Sequence, residues 1–160
     1  MTLADATGDE LAGVVDLFGA VTRTELEDAL AELAFKRGET VDDEAITAAV
    51  DDAVAGYYLV SVDGDGTTLL APGPAAFPAL PDGAEDLPHI LDVPDRQPER
   101  AELVEAAERR LRADAARAVD ADDDDRIERL RDVSYDLETW GSTDVSGVRR
   151  HLDDALENRN

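Results

Sequence analysis

A chain of 160 residues with 39 Asp and Glu against 15 Lys and Arg carries a formal charge of −24 and a pI near 4.1. The absence of Cys excludes a disulfide framework, a thiol nucleophile and Cys-zinc sites. No stretch approaches the roughly 18 apolar residues of a membrane span, and residues 1–6 lack the basic and apolar regions of a secretory signal, so a soluble cytoplasmic protein is expected.

Thr7 and Glu10 form a capping box ahead of Leu11, Val14, Val15 and Phe18, which predicts a first helix. Thr22 and Glu25 repeat the box ahead of Leu26, Ala29, Leu30, Leu33 and Ala34, and Gly38 stops that second helix. Asp42 caps a third helix, whose stripe Ile46, Ala49, Val50, Ala53, Val54 and Tyr57 recurs every three or four residues, with Gly56 at its end. Tyr57 to Val62 are rich in β-formers. The segment Asp63-Gly64-Asp65-Gly66 signals a hairpin turn, and Thr67 to Leu70 return as the second strand.

All seven prolines lie between Pro72 and Pro98, so three regions are expected: a domain over 1–71, a Pro-rich connector over 72–98 and a helical region over 99–160. The connector carries Phe77, Leu80, Leu87, Ile90, Leu91 and Val93. A free linker does not need these, so the connector is expected to pack on the domain surface. Beyond it, Leu103, Val104, Ala107, Leu111 and Ala115 mark one helix from about Pro98 to Ala118. Ile127, Leu130, Val133 or Ser134, and Leu137 mark a second, from the run Asp120–Asp125 to Trp140, ended by Gly141. Ser142 or Thr143 caps a last helix with Val145, Val148, Leu152 and Leu156. The expected fold class is mainly α with a small β-hairpin. With aromatics at 4%, its core must be built from Ala, Val and Leu.

A charge of this size opposes compaction in dilute buffer. At about 1 M salt the Debye length shrinks to about 3 Å and the repulsion fades. The single Lys, Lys36, fits the same reading, because Arg is the less strongly hydrated cation. A salt-adapted cytosol is therefore expected, with an acidic chaperone-like tail or a nucleic-acid mimic as alternatives. Charge is also uneven. Residues 1–95 hold 3 cations and 21 carboxylates, whereas residues 96–160 hold 12 and 18.

Three helices followed by a Gly-tipped hairpin, with Val21 to Leu26 opening the second helix and Gly56 to Val60 leaving the third, resemble a winged-helix domain over about residues 9–71. The stretch from Lys36 to Val41 is longer than the usual turn in that family. Asp9 to Glu39, with Leu11 to Ala20 foremost, and Ala49 to Val62 also resemble a family of short uncharacterised haloarchaeal proteins. That resemblance implies a halophilic cytosol and brings no activity with it. A DNA-binding winged helix would set its third helix in the major groove and bring Arg and Lys to phosphates. Here that helix offers Asp43, Glu44, Thr47, Asp51 and Asp52, and the hairpin tip offers Asp63 and Asp65, with no cation in either. The cations of the domain are Arg23, Lys36 and Arg37, at the ends of helix two.

Catalytic, metal and cofactor patterns are weak throughout, and no catalytic, cofactor-binding or metal residues are assigned. His89 and His151 sit in different halves and in no zinc pattern. A calcium loop from Asp120 would need Gly and Glu where the chain has Asp125 and Arg131, and one from Asp63 reaches Pro74 at its twelfth place. Gly64 and Gly66 lack the third glycine of a dinucleotide loop, and neither a phosphate-binding loop nor a hydrolase elbow is present. Arg109, Arg110, Arg112 and Arg117 read as a salt-laced face, since Glu105, Glu108 and Asp125 lie four residues before Arg109, Arg112 and Arg129. Trp140 reads as a cap between helices. The expectation is a non-enzymatic protein-interaction or regulatory module without cofactor. A winged-helix DNA-binding regulator that dimerises through its C-terminal helices is the alternative.

Overall fold

The computed structural model describes residues 5–64 and 66–158. It is mainly helical with one two-stranded antiparallel hairpin, and the chain divides into two compact units, residues 1–99 and 100–160. Among the described residues, no helix is long and apolar enough to cross a membrane.

In the first unit, side-chain caps start three helices: α1 (Gly8–Asp16), α2 (Arg23–Lys36) and α3 (Asp43–Ala55). Both capping boxes close in full. The Glu10 N–H donates to Thr7 Oγ1 at 3.2 Å, and the Thr22 N–H donates to Glu25 Oε1 at 2.8 Å. Asp42 Oδ1 accepts from the Ala45 N–H at 2.8 Å. Gly38, at φ +69°, ends α2 with the Glu39 N–H on the Ala34 carbonyl. Gly56 ends α3, as expected. Gly56 stays at φ −86°, and the left-handed position falls on Tyr57 at φ +66°. A Cβ on Gly56 would lie 2.8 Å from the Tyr58 ring, so packing requires that glycine. Tyr57 is fully buried, and that burial offsets its unfavourable backbone.

The strands β1 (Leu59–Gly64) and β2 (Thr67–Pro72) pair from Leu59 with Pro72 to Gly64 with Thr67; β2 starts at Thr67 as expected, and each strand ends two residues further along than the sequence suggests. Asp65 of the predicted tip lies outside the described residues. Val21, between α1 and α2, exchanges backbone hydrogen bonds with Leu70 at 3.0 and 2.6 Å, adding a short third rung to the hairpin. The helices and hairpin enclose a core of Leu11, Val15, Leu26, Leu33, Val50 and Leu59, all at most 1% exposed.

Residues 73–97 belong to this unit and run over it as a strap. The Ala79 N–H donates to the Asp9 carbonyl at 2.9 Å, and the Phe77 N–H donates to the Asp9 carboxylate at 2.9 Å. A 3-10 turn (Ala84–Asp86) and the short α4 (Leu87–Ile90) drive Ala84 and Leu87 into the core, whereas Phe77, Leu80 and Ile90 remain exposed. The Arg96 N–H then bonds the Phe18 carbonyl at 3.0 Å. This seating depends on Gly13, where a Cβ would stand 2.1 Å from the Ala79 carbonyl oxygen. Gly13→Ala must lift the strap from α1, at a cost of about 1–3 kcal/mol. Thermal melting should show the loss, and amide exchange at Ala79 should quicken. Gly147→Ala, whose Cβ meets nothing within 4 Å, is the control and should not destabilise. Equal melting of the two variants would refute the assignment.

The second unit is a three-helix bundle of α5 (Arg100–Asp120), α6 (Asp124–Gly141) and α7 (Ser146–Glu157). Leu111, Ile127, Leu130, Val133, Leu137 and Leu152 are fully buried, and Ser134 is buried beside Val133. Asp122 makes the left-handed turn out of α5 at φ +54°, and Asp123 caps α6 through the Arg126 N–H. The end of α6 falls at Gly141, as expected, with a geometry like that of α3. Gly141 is the last helical residue, because a Cβ there would approach Val104 Cγ1 to 2.9 Å, and Ser142 takes the left-handed position at φ +50°. Ser142 and Thr143 therefore do not cap α7. Thr143 bonds Glu108, and α7 begins after Val145, whose N–H is held by Glu138 Oε2 at 3.0 Å.

Candidate functional site

The elements a winged-helix protein would offer a partner are α3 and the hairpin tip, and their charge decides what they can meet. Asp43, Glu44, Thr47, Asp51, Asp52 and Asp63 are all exposed. Among the described residues of this unit, Arg23 of α2 reaches this surface. Arg23 Nη2 donates to Asp51 Oδ1 at 2.5 Å and to the Thr47 carbonyl at 3.2 Å, so its charge is spent within the unit. Lys36 is turned toward the strap, with Nζ 2.9 Å from the Gly83 carbonyl and 3.6 Å from Asp86. Arg96 grips Glu25 with two nitrogens at 2.7 and 3.3 Å, and this hydrogen bonding holds the Glu25 carboxyl below its usual range against the opposing effect of burial. Arg37 makes no ion pair among the described residues.

Several arginines of the second unit are likewise engaged. Asp114, its side chain only 11% exposed, receives Arg110, Arg117 and Arg126 at 3.4, 2.5 and 3.4 Å. Spacing along α5 could have revealed the first two partners, but the link to Arg126 on α6 exists only after folding. Arg112 reaches Glu108 at 3.6 Å, as its spacing suggests. Arg149 bonds Glu138 at 2.8 Å and the buried Ser134 hydroxyl at 3.1 Å, tying α7 to α6. Trp140 is half-buried, with the Arg100 guanidinium stacked 4.3 Å from its ring centroid.

Among the described residues no group of three His, Asp or Glu could hold a metal ion. His89 and His151 are both exposed. Asp120–Asp125 form the turn and the first residues of α6, where carboxylates are favourable. The structure does not bring any of these residues together into a catalytic constellation.

Two features of α2 were not singled out from the sequence. Phe18 is 4% exposed, but Phe35, near the C-terminal end of α2, is 79% exposed. A groove of 260 Å³ lies between α2 and α3, lined by Glu27, Asp28, Ala31, Asp43, Ile46 and Thr47. Phe35 follows Ala31 by four residues and so continues the α2 wall of the groove by one helical turn. Toward the other end, the Thr47 hydroxyl donates to Glu27 at 3.0 Å and Arg23 meets Asp51.

Residues 9–157 match the model of a family of unknown function, DUF7109. No curated protein and no solved structure matches the chain.

Proposed function

We propose that this chain, which belongs to the family of unknown function DUF7109, is a non-enzymatic interaction or regulatory module of a salt-rich cytosol, with a winged-helix-like domain in its first unit. Two features support a winged-helix-like order: three helices before a hairpin, and the short strand at Val21 paired to the returning strand at Leu70. The observation that carries the functional reading is the charge of α3. Its exposed face is carboxylate-rich, and the guanidinium of Arg23, which reaches it, is bound to Asp51. Base readout and phosphate contact both need donors or cations at the groove. Molar salt also removes the counterion-release gain that drives DNA binding. A protein surface makes no such demand.

The full chain is expected not to bind duplex DNA in molar KCl. Fluorescence anisotropy with pooled genomic fragments, followed by selection from a random duplex library, measures this. An enriched sequence motif would replace the present reading with that of a DNA-binding regulator that dimerises through its C-terminal helices. The positive arm is chemical cross-linking in the native cytosol, which should join the first unit to a protein partner.

A further inference from the structure

We propose that the groove between α2 and α3, together with Phe35 one helical turn beyond Ala31 on α2, is the docking site for a basic segment of a partner protein that carries an apolar or aromatic anchor. This deepens the interaction reading above and rests on it. The groove floor is Ala31 and the largely buried Ile46, between exposed carboxylates at Asp28 on α2 and Asp43 on α3. The cation nearest its far end, Arg23, is already held by Asp51. Charge complementarity therefore selects Arg or Lys beside the anchor.

Phe35 supplies what the carboxylates alone would not. A protein this charged does not need a phenylalanine 79% exposed on a regular helix, and burying a ring of that size is a strong source of binding energy. Molar salt sharpens the division of labour. With a Debye length of about 3 Å, carboxylates attract only groups in direct contact. Apolar burial is not weakened by such screening. The Phe35 ring thus provides affinity, and Asp28 and Asp43 set the register of the bound segment.

The probe is a synthetic peptide of alternating Arg and Leu with one central Trp, titrated into the full-length, isotope-labelled chain in molar KCl. Amide shifts are expected to concentrate at Ala31, Phe35, Asp43 and Ile46. Phe35→Ala should weaken binding roughly tenfold or more, and Asp28→Asn with Asp43→Asn should weaken it less. All three positions are exposed, so each variant should keep its melting temperature, which is measured alongside. Shifts scattered over the acidic surface, or equal affinity of wild type and Phe35→Ala, would overturn the proposal. Cross-linking separates the two levels. A partner that joins the first unit equally well in Phe35→Ala refutes the groove and leaves the interaction reading standing. Absence of any partner removes both.

Discussion

Val50→Asp is expected to abolish cooperative melting of the first unit, at a cost of about 4 kcal/mol or more, the range of the most damaging single changes. Val50 is fully buried on α3, in the core with Leu11, Leu26, Leu33 and Leu59. A carboxylate there would lose its hydration inside an apolar core, and Arg23 and Arg96 are already held by Asp51 and Glu25. Asp51→Asn, one residue along the helix, removes a pair whose side chains are 62% and 41% exposed, so it should cost at most about 1 kcal/mol. Circular dichroism melts in molar KCl compare the two. Similar midpoints would mean that α3 is rotated from the orientation described.

Removing salt should have the other large effect, and an uneven one. Residues 1–99 hold 4 cations against 22 carboxylates, and residues 100–160 hold 11 against 17. Between about 1 M and 0.1 M salt the Debye length grows from about 3 to about 10 Å, so carboxylates on neighbouring elements begin to repel one another. The first unit has few internal pairs to offset this, while the second has Asp114 among three arginines and Arg149 against Glu138. Helical signal and melting temperature should therefore fall as KCl is lowered, and hydrogen exchange should show residues 1–99 opening first. An unchanged melt at low salt, or the second unit opening first, would show that screening does not govern this fold.

The sequence by itself determined the element order and most of the helix starts. Caps are local: Thr7 with Glu10, Thr22 with Glu25, and Asp42 act within four residues, so spacing suffices to read them. Burial stripes at a helical period are equally local, and Ile46, Val50 and Ala53 are buried as their spacing implies. The geometry of the helix ends was less legible. Gly56 and Gly141 end their helices as expected, yet the left-handed turn follows on Tyr57 and Ser142, and the glycines are required by the Tyr58 ring and Val104, which only the fold brings near. The turn at Ser142 carries the start of α7 past Ser142 and Thr143. The candidate site was legible only in part. That α3 is acidic follows from composition, but the capture of Arg23 by Asp51 spans 28 positions, and the groove needs two helices side by side. The exposure of Phe35 was hidden for the same reason. Phe35 lies outside the stripe Leu26, Ala29, Leu30, Leu33 and Ala34, but whether another element covers it depends on packing, and it is 79% exposed. Local chemistry is written in the order of residues, whereas which side chains meet across elements, and which are left to solvent, was decided by packing alone.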